Sequence, residues 1–164
     1  IKPHFEPVEM VGLVKQISDD YLPRAREQKI NYSFGSDQAI SLGESRRMEQ
    51  VVYGFVDVSF MREILDNLID NALKYTPEGG TVSVGASWNA DKVTLFVRDT
   101  GIGISKKDLP YVFDRFYKVD KAHSGKGSGL GLSIAQSLTE ILNGRMTLDI
   151  DGDMFKAVLI FDMI

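Results

Sequence analysis

Cysteine is absent from the 164-residue chain, so neither a disulfide bond nor a thiolate metal site can form. Histidine is scarce as well, and its two occurrences, His4 and His123, argue against a histidine-rich metal centre. Long apolar runs are also missing. The longest, at residues 157–161, falls far short of the roughly 20 residues of a membrane-spanning helix and predicts a buried strand. We therefore expect no membrane contact by this chain and no signal peptide.

Positive charge is not in excess, since 19 lysines and arginines stand against 23 aspartates and glutamates, for a formal net charge of −4. Non-specific nucleic-acid binding needs many cations that face phosphates, so we expect no nucleic acid as a partner. A local basic pocket for a small anion remains compatible with this total. The length, with 43% hydrophobic and 26% charged residues, is typical of one globular domain over residues 1–164.

The sequence starts with IKPHFEP, which contains two prolines and no methionine. We expect a piece of a longer protein, with residues 1–7 as the remnant of a linker. Apolar residues then recur at helical spacing from Val8 to Tyr21, and Pro23 predicts an interruption of that helix. Short segments at 30–34 and 51–55 predict strands.

The clearest helix is predicted over residues 57–75, where apolar side chains form one stripe and the turn TPEGG follows. Two alternating segments around NAD predict a hairpin. A last helix is predicted over about residues 128–142, with Asn143 and Gly144 as its C-cap, before two strands joined at DGD. Because helices and strands interleave while several strands form hairpins, we expect an α+β fold with a mixed sheet covered by helices on one face.

A polar cluster lies on the helix predicted at 57–75, where Glu63, Asn67 and Asn71 recur every four residues and Lys74 follows three residues later. This spacing places the four side chains on one helix face. Asparagine is a poor helix former, so two in register suggest that the amides are used. Their oxygens can ligate Mg²⁺, and a lysine can meet a phosphate. The alternative is a solvated polar face.

A second cluster, RDTGIG, places Asp99 at the end of an apolar strand and before Gly101 and Gly103. A carboxylate at a strand end can accept a hydrogen bond from an exocyclic amine, and glycines let a flat ring approach the backbone. The alternative is an aspartate that caps an ordinary glycine turn.

A third cluster, YVFDRFYKVD, interleaves aromatic residues with Arg115 and Lys118 inside a long polar segment typical of a lid or binding loop. The two cations could contact a polyphosphate, or they could be solvated charges on a short helix that the aromatics anchor.

In a fourth cluster, four glycines precede or begin the last predicted helix, where backbone N–H groups can face an anion; they are Gly125, Gly127, Gly129 and Gly131. A flexible hinge is the alternative there. Together, the four clusters predict a purine nucleotide site.

In this order and at these separations, NLIDNALKYTP, RDTGIGI, VFDRFYK and GSGLGLSIAQSL resemble the N, G1, F and G2 boxes of the ATP-binding catalytic domain of bacterial sensor histidine kinases. The resemblance covers about residues 5–162. It implies a two-layer α/β sandwich, a mixed and mostly antiparallel sheet, and an ATP lid at about residues 104–128. It also implies a protein histidine kinase that uses ATP and Mg²⁺.

The resemblance implies a role for each matched residue in the N and G1 boxes. Asn71 matches the Mg²⁺ ligand, and Asn67 matches the other asparagine, with catalytic and nucleotide-binding roles. Lys74 and Tyr75 match phosphate and nucleotide contacts. Asp99 matches the acid that hydrogen-bonds the adenine amino group, beside the turn residues Gly101, Gly103 and Ile104.

The resemblance also covers the lid. Arg115 and Lys118 lie in the F box with expected catalytic roles, and Lys118, also expected to bind nucleotide, stands where the family commonly has an arginine. The end of the lid is expected to contact the nucleotide through Gly127, Ser128, Gly129, Leu130 and Gly131. Two further departures are Asp153, in place of a threonine or serine that supports the adenine-binding acid, and GFVDVS, in place of GDP before the N-box helix.

The residue type at position 67 distinguishes phosphoryl transfer from ATP hydrolysis within the wider superfamily of related ATPases. The ATP-hydrolysing relatives place a water-activating glutamate where this chain has Asn67. An amide cannot take up that proton, which favours phosphoryl transfer. The expected acceptor is a histidine on a separate dimerisation domain of the same protein, with a response regulator downstream. We expect a monomeric fragment located in the cytoplasm, from a parent protein that can be anchored in the plasma membrane. The alternatives are a nucleotide-gated protein-interaction switch with little catalysis and a serine-directed kinase of the anti-sigma type.

Overall fold

The computed structural model describes residues 2–38, 51–101 and 131–164. These ranges contain seven strands and four helices in the order β1 (Glu6–Glu9), α1 (Met10–Asp19), α2 (Leu22–Glu27), β2 (Asn31–Gln38), β3 (Tyr53–Val56), α3 (Val58–Tyr75), β4 (Thr81–Trp88), β5 (Lys92–Asp99), α4 (Gly131–Ile141), β6 (Arg145–Asp151) and β7 (Met154–Asp162).

The main sheet has five strands in the order β2-β4-β5-β7-β6. Strand β2 runs parallel to β4, and the other three pairings are antiparallel. The predicted hairpins, β4/β5 and β6/β7, are both confirmed. The sheet is therefore mixed and mostly antiparallel, as expected.

The N-terminal prediction is wrong at its start, because Val8 lies in a strand and not in a helix. Strand β1 pairs antiparallel with β3, and Val8 faces Gly54 in this second, two-stranded sheet. Helix α1 begins only after Glu9, whose side chain accepts hydrogen bonds from the N–H groups of Val11 and Gly12. Helical spacing could not reveal a strand partner so far along the chain. Glu6 and Pro7, expected in the linker, belong to this strand.

Pro23 interrupts the first helical segment, as predicted. Helix α1 ends at Asp19, and α2 starts at Leu22 with Pro23 in its first turn. Proline is tolerated there because the first N–H groups of a helix have no intrahelical partner.

Helix α3 confirms the prediction for residues 57–75, with Asp57 as the N-cap. The Asp57 carboxylate accepts a hydrogen bond from the Phe60 N–H at 3.1 Å. The predicted apolar stripe is buried, apart from Phe60, which is half-buried at its edge. Met61 and Leu73 widen the buried surface. This packing leaves the polar face of α3 for the site described below.

Helix α4 ends in the predicted C-cap. Asn143 adopts a left-handed backbone with φ of 66°. Its N–H donates to the Glu140 carbonyl at 3.0 Å, and the Gly144 N–H donates to the Thr139 carbonyl at 2.9 Å. These two bonds form a Schellman motif, which satisfies carbonyls that would otherwise lack partners at the helix end.

Alternating burial shows which face of the sheet the helices cover. On β5, Val93, Leu95 and Val97 are buried, whereas Phe96 and Arg98 on the opposite face are half-exposed. A helix layer packed on one face of a sheet is the expected two-layer α/β sandwich. None of the helices in the described ranges is long and apolar enough to cross a membrane.

Candidate functional site

Asp99 lies at the end of β5 with only 7% of its surface exposed. Its Oδ1 atom accepts a hydrogen bond from the Gly101 N–H at 2.9 Å. Burial raises the pKa of Asp99 to about 6, although the Gly101 hydrogen bond acts in the opposite direction. A buried carboxylate at a strand end, whose charge is so poorly compensated, is suited to a ligand that donates a hydrogen bond.

Gly101 allows the chain after β5 to pass directly against the end of α3. A Cβ atom at this position would lie 2.5 Å from the Tyr75 carbonyl oxygen and 3.1 Å from Asp99 Oδ1. Such a contact is too short for any side chain. The glycine therefore brings together the adenine-binding candidate Asp99 and Tyr75, which the sequence assigns to two separate boxes.

Two hydrogen bonds of Thr100 connect this end of β5 to the start of β4. Its N–H donates to the Thr81 carbonyl, and its Oγ1 accepts from the Thr81 N–H, both at 3.0 Å. One residue beyond Tyr75, the buried Thr76 has a hydroxyl oxygen without a hydrogen-bond partner in the described part of the chain. An orphaned buried hydroxyl beside Tyr75 is compatible with a site that a polar ligand completes.

Asn67 and Asn71 lie half-buried on the polar face of α3. The Asn67 Nδ2 atom donates to the Glu63 carbonyl at 2.9 Å, which leaves Oδ1 as an acceptor. Gly131, the first residue of α4, lies beside it, since a Cβ there would be 3.6 Å from Asn67 Oδ1. The start of the helix that follows the predicted lid therefore contacts the N-box helix.

Lys74, at the end of the same helix, is held by a carboxylate. Its Nζ atom lies 3.4 Å from Asp70 Oδ2, while Arg24 Nη1 of α2 lies 2.7 Å from Asp70 Oδ1. Burial alone would raise the pKa of Asp70, but the Arg24 hydrogen bond and the positive charges of Lys74 and Arg24 lower it overall. Burial and the charge of Asp70 raise the pKa of Tyr75.

The fold thus brings part of the predicted site together. Two elements supply most of it, the polar face of α3 and the end of β5, and α4 begins beside them; the residues are Asn67, Asn71, Lys74, Tyr75, Asp99, Gly101 and Gly131. The lid expected at about residues 104–128 lies outside the described residues, as do Gly103, Ile104, Arg115, Lys118, Gly127, Ser128, Gly129 and Leu130. Asp153 lies exposed between β6 and β7.

The sequence did not reveal several residues of this region. Asp70 could have been found from its spacing, because it precedes Lys74 by four residues on the same helix. Arg24 carries no such signal, because α2 is far away in sequence and contacts Asp70 only through the fold. The burial of the Thr76 hydroxyl and the hydrogen bonds between Thr100 and Thr81 also depend on tertiary structure.

The donor set of this region suits a cation that is shared with phosphate. In the described ranges, no group of three or more histidine, cysteine, aspartate or glutamate side chains could hold a metal ion. Mg²⁺ commonly takes one or two protein oxygens and completes its shell with substrate phosphates and water. The half-buried Asn71 amide, on the same face as Lys74, is such an oxygen donor.

Comparison with known proteins identifies the class of this fold and site. Residues 56–161 match the family of histidine kinase-, DNA gyrase B- and HSP90-like ATPases. The chain belongs to this family, and it is an ATP-binding domain.

Within this family, the most similar relatives include two sensor proteins. Over 102 residues, 60% of this chain and 17% of the relative, the chain is 46% identical to sensor histidine kinase WalK of Bacillus subtilis (strain 168). Over 141 residues, 86% of this chain and 27% of the relative, it is 32% identical to sensor protein CreC of Escherichia coli (strain K12). The chain thus matches between 17% and 27% of the length of these two proteins.

Solved structures share the fold. The catalytic domain of histidine kinase ThkA superposes with a TM-score of 0.78 at 19% identity, covering 97% of this chain and 95% of that one. Full-length ShkA in complex with AMPPNP superposes with a TM-score of 0.76 at 27% identity, covering 99% of this chain and 32% of that one.

Proposed function

We propose that this chain is the catalytic domain of a sensor histidine kinase, which binds Mg-ATP and transfers its γ-phosphoryl group to a histidine on a separate dimerisation domain of the same protein. The observation that carries the proposal is the buried Asp99 carboxylate beside Gly101, whose backbone lies against Tyr75 at the end of α3. In this arrangement Asp99 accepts the hydrogen bond of the adenine amino group. The polar face of α3 extends from there toward the phosphates.

Phosphoryl transfer is favoured over hydrolysis by the chemistry of Asn67. Its amide donates to the Glu63 carbonyl and keeps a neutral oxygen toward Gly131, so it cannot act as a base for water. Phosphoryl transfer needs mainly positioning and charge stabilisation, which amides and lysines supply. In the proposed arrangement Asn71 ligates Mg²⁺ and Lys74 contacts a phosphate. Arg115 and Lys118 of the lid supply further positive charge to the phosphates.

The named relatives support the proposed class of reaction. WalK is a sensor histidine kinase, ShkA has been solved with AMPPNP, and ThkA has been solved with the response regulator TrrA. By analogy, the partners of this domain are the histidine-bearing domain of its own protein and a response regulator downstream. The fragment without the dimerisation domain is monomeric under this proposal.

The test is transfer in trans. The purified chain is mixed with the histidine-containing domain of the parent protein and with ATP labelled in the γ-phosphate. Label should appear on that domain in an acid-labile form, and Asp99→Asn should lower the signal at limiting ATP in proportion to its weaker ATP binding. ATP binding without any label transfer would overturn the kinase proposal and favour a nucleotide-gated switch. Acid-stable label on a serine-bearing partner would indicate a serine-directed kinase instead.

A further inference from the structure

The carboxylate of Asp70 is shared by two cations from different parts of the chain. Arg24 of α2 is the closer partner, at 2.7 Å, and Lys74 is the more distant, at 3.4 Å. The three side chains are partly exposed, at 34% for Arg24, 41% for Asp70 and 37% for Lys74, so both pairs can rearrange. The longer contact is the easier one to break.

Asp70 also borders the predicted phosphate side of α3. It immediately precedes Asn71, and Lys74 follows it by one helical turn. A negative charge at this position opposes a triphosphate in two ways. It retains the ammonium group of Lys74, and it repels the phosphates directly.

We infer that Arg24 and Asp70 are positioning residues that govern how readily Lys74 reaches the phosphates of a bound nucleoside triphosphate, an inference that rests on the proposed role of Lys74. Asp70 restrains the lysine when no phosphate is present. Arg24 keeps the carboxylate paired after Lys74 turns to the phosphates, so that no uncompensated charge is left beside the ligand.

Arg24 is a residue that the family match does not assign. It lies on α2, whereas the match begins at residue 56, and it belongs to none of the motifs in the sequence. Its link to the site exists only through the tertiary contact between α2 and α3.

A double-mutant cycle tests this inference on the 164-residue chain. The variants are Arg24→Gln, Asp70→Asn and their combination, and the affinities for ATP and for adenosine are measured for each. Adenosine lacks phosphates, so an effect confined to ATP reports on Lys74, whereas a general loss of structure weakens both ligands. Arg62→Gln is the matched control, because Arg62 is a half-exposed arginine whose ion pairs in the described part of the chain are with Asp20 at 3.1 Å and Asp66 at 3.8 Å.

We expect Arg24→Gln to weaken ATP binding about twofold to fivefold, the scale of one partly exposed ion pair, and to leave adenosine binding unchanged. Asp70→Asn should tighten ATP binding by a similar factor. In the Asp70→Asn background, Arg24→Gln should have no further effect on the ATP–adenosine difference. Arg24→Lys keeps the charge and should bind ATP like the wild type, and so should Arg62→Gln.

Weaker ATP binding by Asp70→Asn, or equal effects of Arg24→Gln in the two backgrounds, would overturn the inference. If Arg24→Gln does not fold, Asp70→Asn alone tests the inference: tighter ATP binding supports it, and weaker ATP binding overturns it. Lys74→Gln separates this result from a failure of the proposed function. If Lys74→Gln weakens ATP but not adenosine while the cycle shows no coupling, only the roles of Arg24 and Asp70 are wrong. If it changes neither ligand, the assigned phosphate side is wrong as well.

Discussion

The main-chain N–H of Gly101 donates a 2.9 Å hydrogen bond to Oδ1 of Asp99, two residues earlier, and this pair links the end of β5 to the end of α3. The bond leaves the remaining acceptor capacity of the carboxylate available for a ligand. It also fixes the direction of the side chain, because the backbone that donates the bond is itself pressed against Tyr75.

Gly101→Ala should disrupt this link. The new Cβ would lie 2.5 Å from the Tyr75 carbonyl oxygen, so the backbone must move, and we expect a loss of about 1–3 kcal/mol in the free energy of unfolding together with weaker nucleotide binding. Denaturant unfolding and ATP titration measure the two effects. Gly35→Ala is the matched control, because a Cβ at Gly35 meets no atom within 4 Å. Equal stability of the two variants would contradict the close approach.

Asp99 should make stability depend on pH in a direction opposite to that of most carboxylates. Its pKa is raised to about 6 by burial, so the folded state binds its proton more tightly than the unfolded state does. The contribution of Asp99 to stability therefore falls as the pH rises from about 4 to 6 and stays low above that range. Relative to Asp99→Asn, the wild type should lose on the order of 2 kcal/mol across this window.

The comparison with Asp99→Asn isolates this effect from other groups. Asp57 and Asp70 have lowered pKa values, and their contributions run the other way in both proteins. Unfolding in urea at several pH values provides the measurement. A difference between the two proteins that does not change with pH would show that Asp99 titrates normally.

Asn143→Ala should destabilise the end of α4. Asn143 adopts φ of 66°, a left-handed conformation that costs an alanine roughly 1–2 kcal/mol. Asn143→Gly should be neutral or slightly stabilising, because glycine adopts this conformation without strain. Thermal unfolding of the two variants tests this expectation. Equal melting temperatures would contradict the role of Asn143 as a left-handed helix cap.

Asn71→Ala should reduce the dependence of ATP binding on Mg²⁺. We expect the mutation to weaken binding of Mg-ATP and to change the affinity for metal-free ATP much less, because only the complex with the cation uses the amide oxygen. Titrations with MgCl₂ and with EDTA measure both affinities. An equal loss in the two conditions would place Asn71 at the nucleotide and not at the metal.

Local sequence patterns predicted much of this fold. Helix α3 follows from its apolar stripe and from the turn TPEGG after it, and the two hairpins follow from alternation around short turns. The C-cap at Asn143 and Gly144 follows from residues that favour a left-handed backbone. In each case the interactions that define the element lie within a few residues of one another.

The predictions that were wrong or missing involve contacts between residues that are distant in the sequence. Val8 looked helical, but it pairs with Gly54 of β3, a contact that periodicity does not encode. The candidate site shows the same limit. Asp99 and Asn71 could be singled out by their neighbours, whereas the contact of Arg24 with Asp70 depends on the tertiary fold that brings α2 within hydrogen-bond distance of α3.

ATP titration of the wild type and of Asp99→Asn, in the presence of Mg²⁺, tests the central claim most directly. Asp162→Asn is the control, because Asp162 is an exposed carboxylate at the opposite end of the β5/β7 ladder, where it pairs with Lys92. The account predicts that Asp99→Asn weakens ATP binding at least about tenfold, or 1.4 kcal/mol, while Asp162→Asn binds like the wild type. Near-equal affinities of all three proteins would contradict the assignment of the nucleotide site to Asp99.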